Sequence, residues 1–160
     1  MKEIRIVIDR ANGLIKRADH MFYITYPLIK DNKLIITMAE NISNGMSHAM
    51  DAILMYERLY KRISIYPEDF NVKMGIFRDS IAKRYNIEKE HINLIRDLKM
   101  FLEERKNSGA EFMKNDKYAF FNQKQELKSL GLDRIKQNLN MSKEFIRKVN
   151  GILTNVTTRF

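Results

Sequence analysis

The sequence predicts a mainly α-helical protein, an up-and-down bundle of four to five helices with a small β-hairpin or meander before the last helix. Apolar side chains recur at helical spacing through most of the chain. Proline occurs twice and glycine six times in 160 residues, so few positions interrupt a helix. Between residues 107 and 131 the pattern changes to short apolar clusters around turn formers, which favours strands. A chain of this length, 44% hydrophobic, predicts one domain over residues 1–160.

The central helix is predicted over residues 34–63, about thirty residues without a proline. On a helical wheel the apolar positions gather on one side and the polar positions on the other. The side predicted to be buried carries Ile35, Ala39, Ile42, Met46, Ala49, Ile53, Tyr56 and Tyr60. The opposite, polar side carries Glu40, Asn44, Ser47, Asp51, Arg58 and Arg62. The rest of the bundle is expected to pack around this helix.

The first helix is predicted from Lys2 to about Tyr26. Pro27 should end it, because proline disfavours helical geometry in the residue before it and lacks the amide hydrogen. Residues 28–31 then form a short connection, in which Asp31 or Asn32 can cap the central helix. A connection this short predicts that the first two helices lie antiparallel.

The second half of the chain predicts two shorter helices, the β element and a closing helix. A break at residues 64–69 contains Pro67, and the third helix follows it to about Tyr85. The fourth helix begins near Glu88 and ends at about Lys106. The β element is predicted at about residues 111–130, and the last helix over residues 132–153. Residues 154–160 are expected to fray.

The composition excludes several classes of function. The chain has no cysteine, so disulfides, thiolate zinc sites and a cysteine nucleophile are impossible. The N-terminal segment has charges every few residues, unlike a signal peptide, and no apolar run approaches the roughly 18–20 residues of a membrane span. These features predict a cytoplasmic protein without a membrane partner.

The net charge of +9 is concentrated in the C-terminal half. Residues 1–80 hold twelve Lys/Arg against ten Asp/Glu, and residues 81–160 hold seventeen against ten. A basic surface attracts nucleic acid by releasing counterions. Phe112, Tyr118, Phe120 and Phe121 lie among these charges and are candidates to stack on bases, although they would equally fit the buried face of the sheet. The candidate nucleic-acid-binding residues are Lys114, Lys117, Lys124, Lys128, Arg134, Lys136, Lys143, Arg147 and Lys148.

The three histidines give little sign of a metal site. His20 falls on the polar side of the first helix. His48 and Asp51 are three residues apart, which is a common pair on any helix. Glu88 and His91 form the one Glu-x-x-His match, whereas a di-iron bundle needs two such motifs and two further carboxylates. The sequence therefore predicts no metal and no cofactor.

Several segments resemble the HEPN superfamily of helical bundles. The resemblance is carried by the paired long helices, by the small-residue and tyrosine pattern HAMDAILMYERLYKRI at residues 48–63, and by the shorter helices that follow. More closely, the segments RADHMFYITYPLIKDN, AMDAILMYERLYKRI and EFMKNDKYAFF resemble small archaeal proteins of the same organisation.

HEPN ribonucleases carry an arginine, then four to six residues, then a histidine. Arg84 and His91 meet that spacing here. The resemblance implies that the arginine would hold a phosphate and the histidine would assist attack by the 2′-hydroxyl.

The function predicted from these observations is a non-catalytic binding module that contacts RNA, a ribonucleoprotein or a protein through its basic C-terminal surface. The first alternative is a metal-independent HEPN-type ribonuclease using Arg84 and His91. The second is a homodimeric structural protein joined through leftover apolar faces, to which its methionines could adapt.

Overall fold

A computed structural model describes residues 1–154 of the chain, and these form a helical bundle with a three-stranded antiparallel sheet inserted before the last helix. The helices are α1 (Lys2–His20), α2 (Tyr26–Ile29), α3 (Lys33–Leu59), α4 (Phe70–Ile76), α5 (Ala82–Tyr85), α6 (Lys89–Lys106) and α7 (Leu132–Thr154). The strands are β1 (Glu111–Lys114), β2 (Lys117–Phe121) and β3 (Leu127–Gly131), in the order β1-β2-β3. The predicted fold class and β element are confirmed. The predicted fraying of the tail lies outside the described residues, except for Thr154, which ends α7.

Helix α3 is the centre of the core and packs most extensively on α1 and α7. Seven of the eight residues predicted to be buried on it are buried, and Tyr60 is exposed. Gly45 lets α1 approach closely, because a Cβ atom there would lie 2.6 Å from Cδ1 of Ile15. No helix within residues 1–154 is long and apolar enough to cross a lipid bilayer.

The first helical segment does not end before Pro27, as predicted, but continues to Ile29. A π-helical segment, Met21–Thr25, separates α1 from α2, and the amide of Tyr26 bonds to the carbonyl of Met21 five residues earlier. Pro27 lies in the first turn of α2, where a missing amide hydrogen is tolerated. Left-handed Lys30 then ends α2. The predicted cap is confirmed, because Asp31 Oδ1 accepts from the amide of Lys33 at 2.9 Å.

Helix α3 ends at Leu59, four residues before the predicted end. Lys61 takes a left-handed backbone conformation with φ of 58°. The amide of Arg62 bonds to the carbonyl of Glu57, and that of Lys61 to the carbonyl of Arg58. These two bonds define a Schellman motif. The motif turns the chain back so that the Arg62 side chain reaches the carboxylate of Glu57 at 3.0 Å.

Candidate nucleic-acid interface

A tight turn at Asn115 and Asp116 sets the register of β1 and β2. Both residues are left-handed, with φ of 52° and 60°, as a type I′ hairpin turn requires. The hydroxyl of Tyr26 donates to Asp116 Oδ1 at 2.8 Å and holds the turn against α2. Burial and the neighbouring Asp116 carboxylate raise the pKa of Tyr26 to about 12, so this donor stays protonated at neutral pH. The turn places Lys114 directly opposite Lys117.

Alternation along the strands gives the sheet an inner and an outer face. Tyr118, Phe120 and Leu130 are buried and form the inner face. Phe120 packs on Phe101 of α6 with ring centroids 5.1 Å apart. The hydroxyl of Tyr118 accepts a hydrogen bond from Arg105 Nε at 2.8 Å. The sheet is therefore held on α6 by one face and presents the other to solvent.

The outer face carries two exposed aromatic rings. Phe112 lies opposite Ala119, and Phe121 is the next outward residue along β2. The two residues are 44% and 39% exposed, and their ring centroids lie 5.4 Å apart in an edge-to-face arrangement. The sequence left open whether the aromatics of this segment are buried or exposed. Two of the four are buried and two are exposed.

Lys114 and Lys117 extend the outer face beyond these rings. Both are exposed, and neither forms a salt bridge within residues 1–154. Like charges directly opposite on a sheet repel each other. The pair is therefore a point on the surface where a bound anion would relieve repulsion.

A shallow groove of about 520 Å³ runs from this end of the sheet to the start of α7. Lys117 lines it from the sheet and Arg134 from the helix, and the Arg134 side chain has no bonded partner in the described chain. Asp116 and Asp133 line the same groove. The remaining lining residues are Asn115, Ser129, Gly131, Leu132 and Gln137.

The other predicted basic residues do not all join this surface. Lys124 and Lys128 lie at the opposite end of the sheet, in a second groove that Glu103, Glu104 and Glu126 also line. Lys128 pairs there with Glu126 at 3.8 Å. Farther along α7, Lys143 pairs with Asp19, and Lys148 donates to the carbonyl of Asn86. Lys136 and Arg147 are exposed and have no bonded partner in the part of the chain that the structure describes. Thus Lys114, Lys117 and Arg134 form the compact part of the predicted set.

Arg84 and His91 each contact a different carboxylate. Arg84, whose side chain is 41% exposed, binds Glu57 of α3 through its guanidinium. His91 is 3% exposed, and its Nε2 lies 3.4 Å from Glu144 Oε2. Either residue would have to leave its carboxylate partner to act on a phosphate.

Glu57 is the main feature that sequence reasoning missed. It is fully buried on α3 and binds Arg62, Arg84 and the hydroxyl of Tyr85. Burial and the Glu57 carboxylate raise the pKa of Tyr85 to about 12, so its hydroxyl remains a donor. The sequence held one indication of this cluster. Glu57 directly follows Tyr56, which is predicted to be buried, and arginines elsewhere in the sequence could pair with its carboxylate. This cluster ties the α3 terminus to α5.

A second missed cluster brings together Glu88, His91 and Glu144. Their ligand atoms all lie within 4.8 Å of one another. The Glu88–His91 spacing was visible in the sequence, but Glu144 is 53 residues beyond His91. Only the packing of α7 against α6 brings it near.

No protein-family model, curated protein or solved structure matches the chain.

Proposed function

We propose that this chain is a non-catalytic module that binds single-stranded RNA on the outer face of its three-stranded sheet. One observation carries the proposal. The outer face brings two exposed rings, Phe112 and Phe121, next to Lys114 and Lys117. Neither lysine forms a salt bridge with another described residue. The proposed partner is RNA, either alone or within a ribonucleoprotein, because the contact chemistry is the same in both. Membership of the HEPN superfamily and a cytoplasmic location belong to the same proposal.

The proposed contact uses two kinds of interaction at once. Bases stack on exposed aromatic faces with little regard to sequence. Lysines beside the rings neutralise phosphates and release counterions. A β-strand rises about 3.3 Å per residue, so successive side chains on one face lie about 6.6 Å apart along the strand. Rings and lysines on this face can therefore contact adjacent nucleotides. Arg134 extends the basic line into the groove at the start of α7.

The rings and the lysines are expected to contribute differently to RNA affinity. Removing a ring that stacks on one base costs about 1–3 kcal/mol, which corresponds to a loss of affinity of roughly 5- to 150-fold. Removing a lysine that contacts a phosphate lowers affinity at low salt and also weakens its salt dependence. The two kinds of residue can therefore be distinguished experimentally.

The test is fluorescence anisotropy with a labelled single-stranded RNA of mixed sequence, titrated with the wild-type chain and two double variants. Phe112→Ala/Phe121→Ala should lower affinity at every salt concentration. Lys114→Gln/Lys117→Gln should lower it most at low salt. Both pairs of side chains are exposed, so the variants should keep the far-UV circular dichroism of the wild type.

Control variants remove an exposed apolar side chain and two lysines at positions away from the sheet. Leu28→Ala removes a more exposed apolar side chain from α2, and Lys2→Gln/Lys83→Gln removes the same charge from α1 and α5. Wild-type protein that does not bind RNA at low salt would refute the proposal. So would equal losses in the test and control variants.

The wild-type protein and two further variants test the ribonuclease and the homodimer alternatives. Metal-free cleavage of the RNA that is lost in Arg84→Lys and His91→Gln would favour the ribonuclease. A dimer mass by light scattering, with no RNA binding, would favour the structural role.

A further inference from the structure

The cluster of Glu88, His91 and Glu144 has the composition of a cation site. His91 Nε2 lies 3.4 Å from Glu144 Oε2 and 4.0 Å from Glu88 Oε2. Imidazole nitrogen and carboxylate oxygen are both ligands of divalent transition metals. One neutral imidazole and two carboxylates supply two negative charges, which a divalent cation would balance.

The distances suit a small metal ion. Metal bonds of about 2.0–2.2 Å at tetrahedral angles place neighbouring ligand atoms about 3.3–3.6 Å apart. The His91–Glu144 separation of 3.4 Å already lies in that range. The three ligand atoms lie within 4.8 Å of one another, and Glu88, whose side chain is 62% exposed, can move closer to the other two.

Burial orients the imidazole toward the carboxylates. The ring is 3% exposed and packs against Phe145, with centroids 6.0 Å apart. Its Nε2 faces the two carboxylates, while Nδ1 is buried and has no bonded partner among residues 1–154. A buried nitrogen pointed at two partly exposed carboxylates leaves the outer side of the cluster open to water, as in three-ligand metal sites.

The surrounding charges leave the carboxylates available. Lys148 lies one helical turn beyond Glu144, but it donates to the carbonyl of Asn86. In the described chain Glu88 and Glu144 form ion pairs with His91 alone. Glu88 occupies the N-cap position of α6 without a side-chain capping bond, and the helix dipole favours a charged carboxylate there.

We propose that Glu88, His91 and Glu144 bind one divalent transition-metal ion and thereby link α6 to α7. This site lies outside the outer face of the sheet, and the proposal does not depend on RNA binding. Because the ion would bind the folded chain, it would raise the thermal stability.

The test uses Zn²⁺ and metal-free protein prepared by dialysis against a chelator. Isothermal titration should give one Zn²⁺ per chain, and Zn²⁺ should raise the melting temperature. Glu88→Gln and Glu144→Gln should each weaken binding at least tenfold, since losing even an outer-shell partner of a metal ligand typically costs 10–100-fold. Both side chains are more than half exposed, so these variants should fold. Co²⁺ should show the intense visible absorption of tetrahedral coordination with the wild type and not with Glu88→Gln or Glu144→Gln.

Glu90→Gln is the matched control, because it removes an exposed carboxylate from the same first turn of α6. It should leave Zn²⁺ affinity unchanged. Equal affinity in Glu144→Gln and Glu90→Gln would overturn the proposal. Binding that is lost in His20→Gln but retained in Glu144→Gln would overturn it too, by placing the ion elsewhere.

Discussion

Replacing Glu57 with glutamine should destabilise the protein, because the buried carboxylate accepts from three donors. Its Oε1 accepts from Arg62 Nη1 at 3.0 Å and from the hydroxyl of Tyr85, and its Oε2 accepts from Arg84. Glutamine keeps the shape but replaces one acceptor oxygen with an NH₂ group. That group would face a guanidinium or the hydroxyl, so at least one bond is lost.

The expected loss of stability depends on whether the charges of Arg62 and Arg84 stay buried or reach water after the substitution. Losing a hydrogen bond to a charged group costs about 1.5–3 kcal/mol. Removing one partner of a fully buried ion pair costs about 3–5 kcal/mol, because the other charge is left uncompensated. Here the side chains of Arg62 and Arg84 are 37% and 41% exposed, so both can turn to water. We therefore expect Glu57→Gln to cost about 2–3 kcal/mol.

Urea unfolding followed by far-UV circular dichroism at pH 7 measures this change. The midpoint should fall without a change in slope, which would indicate altered stability and not altered compactness. In a thermal melt the loss should be roughly 5–10 °C for a chain of this size. Glu103→Gln, an exposed glutamate without a salt bridge among the described residues, should change stability by less than about 0.5 kcal/mol. A Glu57→Gln loss as small as that of the control would refute the reasoning.

Three further predictions concern backbone strain, acid stability and packing. Lys61→Gly should raise the free energy of unfolding by about 0.5–1 kcal/mol, because glycine takes the left-handed conformation without steric cost; an unchanged urea midpoint would contradict this. Burial holds the pKa of His48 below its usual 6.5, so the unfolded chain binds the proton more readily and stability should fall as the pH drops below about 6.5. His48→Gln should flatten that decline, whereas exposed His20→Gln should not, in urea melts between pH 7.5 and 5. Gly45→Ala should destabilise, since a clash with Ile15 of about 1–3 kcal/mol exceeds the gain of about 1 kcal/mol in helix propensity; Ile15→Val should make the double variant more stable than additivity predicts.

Helix positions and their buried sides could be predicted from the sequence because they depend on local periodicity. The stripe from Ile35 to Tyr56 is buried as its spacing indicates. The errors at Pro27 and at the end of α3 have backbone causes. A π-helical segment accommodated the proline, and left-handed Lys61 ended a helix whose apolar pattern continued.

The candidate sites were less predictable because they depend on contacts between distant segments. Glu57 meets Arg84 across 27 residues, and His91 meets Glu144 across 53. Neither pair has a local spacing that marks it. The outer face of the sheet was partly visible in the sequence as interleaved aromatic and basic residues. Which of these side chains share the outer face depends on the strand register, and that register is set by the turn at Asn115 and Asp116.

The salt dependence of RNA affinity is the sharpest test of RNA binding on the outer face of the sheet. For single-stranded nucleic acid, each phosphate neutralised contributes a slope of about −0.7 to log K against log salt concentration. If Lys114 and Lys117 each contact one phosphate, their double replacement by glutamine should reduce the slope by about 1.4 in magnitude. The Lys2→Gln/Lys83→Gln control should leave the slope unchanged. A wild-type slope retained in the Lys114/Lys117 variant would contradict RNA binding on this face of the sheet.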